Sequence, residues 1–160
     1  MVAYNTALVN FLLFLHIMAA IVAFGPTFVF PIIMGMARKD PAHMEFGVKV
    51  IHAIASKVTK LGAIAAGILG VLLILAEDLS LKDNPWLLIS LLVYAIALVF
   101  AIVVQNPNSE KLLGLLSSAT PGEAPSAEVS DLGDRLRMGG TMLGVAIIIL
   151  VLLMVFKPGA

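Results

Sequence analysis

The sequence predicts an all-α membrane protein, a bundle of four transmembrane helices. The first observation behind this is composition. The 160 residues are 61% hydrophobic and 12% charged, with a mean hydropathy of +1.07. A soluble domain carries about twice that charged share. Such an excess of apolar surface cannot fit inside one small core, so lipid has to cover part of it. The second observation is length. Four segments reach the roughly 20 apolar residues that a helix needs to cross hydrocarbon, about 6–34, 51–76, 85–105 and 138–156. The third is that all of them fit one transmembrane domain covering 1–160, a length usual for a single domain.

Span one opens the chain with no charged residue before Arg38. It lacks the Lys/Arg-bearing start of a secretory signal and is too long for a signal core, so it reads as a retained span. Span two is the least tidy, since Lys57 and Lys60 sit in its first turns. Long lysine stems can carry their ammonium groups to the headgroups. Span three starts at Pro85 and is apolar through to Gln105. The stretch 106–137 reads as a flexible loop around the Pro/Ser/Ala/Glu run "SSATPGEAPSAEVS". Its end, "SDLGDRLR", sets acids before arginines as a short helical lead-in to span four would.

Cationic residues set direction across a membrane. Arg38, Lys39, Lys49, Lys57, Lys60, Lys111, Arg135 and Arg137 fall on one side, and only Lys82 and Lys157 on the other. Eight against two predicts that both termini face away from the cytoplasm. The absence of cysteine excludes disulfides, thiolate metal sites and iron–sulfur clusters held by this chain alone. Zero net charge and no basic run exclude a nucleic-acid partner.

Helices in lipid associate through small residues and polar contacts. At 100° per residue, Asn5, His16 and Thr27 share one side of span one, with Ala20 and Ala23 between them. His16 is therefore expected to point into the bundle. Pro26 and Pro31 each lack an N–H and would free the carbonyls of Val22 and Thr27, with a kink at Gly25. Span two lines up His52, Ser56, Thr59, Ala63, Ala66 and Gly70, with Gly62, Ala66 and Gly70 as a small-xxx-small row. Span three aligns Ser90, Tyr94, Ala97, Ala101 and Gln105, and span four starts with Gly140, Thr141 and Gly144. Spans one and three run the same way, and His16 and Tyr94 lie at similar depth, within reach of a hydrogen bond if those helices face each other.

An ionisable group inside a span costs about 2–3 kcal/mol or more when charged. His16 leaves several readings open. As a neutral donor it locks packing against a backbone carbonyl or Tyr94. As an axial ligand it holds a haem, with Thr27 and Tyr94 beside it. As a relay it passes protons or metal ions. Met34 and Met36 with His52 are a copper alternative, because thioether and imidazole together suit Cu(I). Methionine is also an ordinary filler of apolar gaps. No nucleophile with its base, no phosphate loop and no intramembrane carboxylate pair occurs in the sequence, which leans away from an enzyme.

The stretches "FLHIMAAIVAFGPTFVFPIIM", "LGAIAAGILGVLLIL" and "LLMVFKPG" resemble the bacterial predicted integral membrane proteins grouped as domain-of-unknown-function family 2269. The resemblance covers all four spans and implies no particular activity. More distantly, the first-span "LH", a glycine nine residues on and the terminal "KP" are similar to HemJ-type protoporphyrinogen oxidases and to copper-resistance D membrane proteins. The HemJ resemblance implies a b-type haem on His16 with a third-span lysine as second partner. Span three here has neither lysine nor histidine, and "AFGP" lacks the tryptophan before the glycine. The expected function is thus a small multi-pass protein of a bacterial cytoplasmic membrane, with haem b on His16 for electron transfer or haem handling. The alternatives are an accessory or scaffold subunit that packs on a partner membrane protein or on itself, and a copper or solute pathway.

Overall fold

A computed structural model describes residues 6–39, 43–119 and 126–159. Asn5, placed on the span-one stripe by its spacing, lies outside them. Among the described residues there is no strand; there are four helices long and apolar enough to cross a membrane, Thr6–Ala37, Met44–Ala76, Pro85–Ser118 and Ala127–Phe156. Each is longer than its sequence segment. The expected loop 106–137 is corrected in its first part, since Asn106–Ser118 continues span three as helix, while the helical lead-in expected at 130–137 belongs to span four, which begins at Ala127. The Pro/Ser/Ala/Glu composition masks apolar spacings on either side of it. Leu112 and Leu116, and Val129, Leu132 and Leu136, recur at helical intervals. Ser126 caps span four by accepting from the Val129 N–H at 3.3 Å.

Helices of 30–34 residues are about 45–50 Å long and overshoot the roughly 30 Å hydrocarbon layer. The overshoot lies at the end rich in lysine and arginine. There, Met44–Ile54 packs on Asn106–Ser118 and Phe30–Ala37 packs on Met44–Ile54. Val48, Leu112 and Leu132 form a buried cluster, surrounded by Met34, Met44, Leu113, Leu115, Leu116, Val129 and Leu136. Charged side chains ring this layer, with Lys111 bonded to Glu128 at 2.8 Å. It is a small water-facing core, held by the hydrophobic effect as a soluble bundle would be.

The hydrocarbon part is built otherwise. Spans one and two are its most extensively packed pair, and spans three and four form the next. Ala23, Ala63 and Ala66 are buried in the first pair and Ser90 and Gly139 in the second, together with the bulkier Leu73, Trp86, Leu87, Ile147 and Leu150, while Leu75, Ile96 and Val155 stay exposed to lipid. Between the two parts, the helices lose regularity at one level. Span one tightens into a 3₁₀ turn at Gly25–Phe28, and spans two and three widen into π-helical turns at Ala55–Thr59 and Ala101–Gln105. The first of these packs on the second and on span four, and the third packs on span four. Pro26 sits inside the 3₁₀ turn, where the Val29 N–H returns to its carbonyl at 3.0 Å. Pro31 lies in the first turn of Phe30–Ala37, a position that requires no intrahelical donor. The two prolines therefore mark a break and a restart.

At the other end, Lys157 takes a left-handed conformation, φ 42°, and its ammonium lies 5.4 Å from the Trp86 ring centre. This cation–π contact ties the end of span four to the start of span three.

Candidate functional site

Two polar side chains of the hydrocarbon part, one from span one and one from span three, reach span two. His16 Nδ1 lies 2.9 Å from the Ala66 carbonyl oxygen, and the Tyr94 hydroxyl donates to the Ala63 carbonyl at 2.6 Å. These carbonyls sit one turn apart on the same helix. Of the two partners open to His16, a backbone carbonyl or Tyr94, the structure has the carbonyl, and Tyr94 likewise reaches span two. Both acceptors are backbone carbonyls, and the second lone pair of each is open to an outside donor.

What opens it is glycine. A helical side chain leans over the turn before its own Cα, so the residue four positions on shields a carbonyl. Four residues beyond Ala63 and Ala66 stand Gly67 and Gly70. A Cβ on Gly67 would come within 2.5 Å of the Tyr94 hydroxyl, and one on Gly70 within 3.2 Å of His16 Cε1. The same device recurs at the junction level. Gln105 Nε2 donates to the Leu136 carbonyl at 3.2 Å, where Gly139 and Gly140 follow, and a Cβ on Gly139 would lie 2.6 Å from Gln105 Oε1. Three donors thus enter three glycine notches. The sequence placed Gln105 on the inner face but gave it no partner; the "GG" pair was the signal available.

The remaining candidates are scattered. Thr27 closes its own turn, donating to the Phe24 carbonyl at 2.6 Å. Ser56 likewise turns back to the Ala53 carbonyl at 3.4 Å. His52 Nδ1 lies 3.2 Å from Ser109 Oγ, tying spans two and three together in the water-facing layer. Met34 packs against the Val48–Leu112–Leu132 cluster, while Met36 is 70% exposed. These side chains occupy separate settings, and no cluster of three or more His, Asp or Glu groups suited to a metal ion occurs among the described residues. Thr59 Oγ1 is buried without a hydrogen-bond partner at the junction level.

His16 differs from Tyr94 and Gln105 in one respect that matters chemically. When Nδ1 carries the proton and gives it to a carbonyl, Nε2 keeps a lone pair. Metal-ligating histidines are commonly oriented this way, by an N–H held on a backbone carbonyl.

The family model for "Predicted integral membrane protein (DUF2269)" matches residues 10–158. The chain belongs to this family. The match runs through all four spans of the family 2269 chain and includes His16, Tyr94 and the glycine notches. Neither a curated protein nor a solved structure matches it significantly.

Proposed function

We propose that this family 2269 protein binds a b-type haem through His16, for electron transfer or haem handling in a bacterial cytoplasmic membrane, with its basic end in the cytoplasm. The observation that carries the reading is the Nδ1 contact with the Ala66 carbonyl at 2.9 Å, which leaves Nε2 as the ligating atom. His16 would hold the haem as a single protein ligand, since the apolar part of span three, residues 85–105, has no histidine or lysine to add a second. Haem bound there would supply one-electron chemistry. The protein's own part is to fix the imidazole tautomer and keep the site within apolar surroundings.

The notch device gives a clean test. His16→Gln keeps an N–H donor for the Ala66 carbonyl, as Gln105 does for Leu136, but removes the ring nitrogen. Protein purified in detergent with haem supplied should show a Soret band, and His16→Gln should lose it while remaining folded. A colourless wild-type protein under these conditions overturns the reading.

A second reading, an accessory subunit, is favoured by a different face. A Cβ on Gly144 would meet nothing within 4 Å, and one on Gly140 only the Gln105 amide at 3.9 Å. This four-residue glycine spacing on an apolar helix suits close approach of another membrane helix, from a partner or a second copy. Gly144→Ile should then abolish co-purification of a partner, or the dimer, under mild solubilisation. An identical monomer before and after the change rules it out.

A further inference from the structure

A half-open cavity of about 310 Å³ lies in the water-facing layer, away from His16 and from the glycine notches. Its walls are Met34, Met44, Leu112, Leu116 and Val129, and its rim carries Arg38, Ser130 and Asp134. We propose that this cavity is a binding site for a free fatty acid, with the hydrocarbon chain inside and the carboxylate on Arg38. The proposal stands apart from the haem reading.

Four features of the cavity fix the ligand's chemistry. The walls are aliphatic and thioether, a lining for an unbranched chain; methionine adapts readily to such a shape. The volume sits at the floor of the roughly 300–1,000 Å³ range of small-molecule sites, so it suits one chain and not the pair carried by a phospholipid. At the rim, the guanidiniums of Arg38 and Arg137 share a single carboxylate oxygen of Asp134, at 3.8 and 3.4 Å. A guanidinium has five N–H donors in a planar fork, and these long contacts leave most of them open for a carboxylate. The overshooting helices put the rim near the headgroups, the depth at which the acid group of a membrane-dissolved fatty acid resides.

Gly133 supplies the independent observation. It lines the cavity, and a Cβ built on it would meet nothing within 4 Å. The position is therefore open space in the middle of a helix, where glycine is a poor helix former. A side chain there starts from open space and extends into the cavity.

The probe is a palmitic-acid analogue with a diazirine near the chain end, applied to the full chain in phosphatidylcholine nanodiscs and photolysed. Peptide mapping should find the label on the segments bearing Met34, Met44 and Leu112. Gly133→Leu should lose that label with the melting temperature unchanged or raised. Gly133→Ala, adding one methyl, should retain it. Arg38→Gln should lower the yield about tenfold, the loss of one charged hydrogen-bonded contact. Label confined to lipid-facing side chains overturns the proposal, as does cavity labelling that Gly133→Leu leaves unchanged. Cavity labelling by a diazirine phosphatidic acid and not by the fatty acid overturns it too.

Discussion

Gly62→Leu should separate spans one and two and destabilise the membrane part by about 1–3 kcal/mol, the usual range for overpacking. A Cβ on Gly62 would lie 3.0 Å from both Cα and Cβ of Ala23, and Ala23 is 0% exposed. The obstacle is backbone, which cannot rotate away as a side-chain tip would. Four residues further on, Ala66 accepts from His16, so the same displacement should break that hydrogen bond and diminish any Soret band. Reversible unfolding in bicelles measures the effect. Gly35→Leu is the matched control, because a Cβ on Gly35 meets nothing within 4 Å. Equal stability of the two variants would mean that close approach of spans one and two is not what holds the hydrocarbon part together.

Leu112→Ala should cost about 2–5 kcal/mol, as buried leucines in water-facing cores do. Leu112 is 3% exposed and sits in the Val48–Leu112–Leu132 cluster. The comparison is Leu75→Ala, at a side chain 70% exposed in the lipid zone. Hydrocarbon solvates leucine as well as protein does, so this change should be nearly neutral. Amide exchange should show the loss confined to Met44–Ile54, Asn106–Ser118 and the first turns of span four. A uniform loss across all four spans would contradict the division into two differently stabilised parts.

Much of this protein was legible from residue types and spacing. Four runs of apolar residues require four spans, because unpaired backbone groups in lipid admit only helices or closed barrels. The 3.6-residue period placed His16, Ala23, Ser90, Tyr94 and Gln105 on inner faces, and the structure has them inside. A backbone carbonyl was among the partners that His16 allowed, but which carbonyl His16 and Tyr94 would take was not legible, because every residue owns one and no sequence pattern marks it. The glycines did carry that information, but as absences of a side chain whose purpose depends on what approaches.

The extent of the helices was misread for a related reason. Composition reports the solvent a segment tolerates, and the stretches 106–119 and 126–137 are polar because their outer faces meet water. Their inner leucines are spaced for a core that exists only once Met44–Ile54, Asn106–Ser118 and the start of span four lie side by side. The sequence by itself determined the membrane, the number of spans and the inward faces of the first three, since these follow from local hydrophobicity and helical period; span four instead turns Gly139, Ile147 and Leu150 inward and leaves Gly140 and Thr141 exposed. Only the tertiary structure decided which carbonyl each donor takes, where the regular helices break, and that a second core and its cavity stand beyond the hydrocarbon. Those features depend on distances between residues far apart in the chain, and such distances are set by packing.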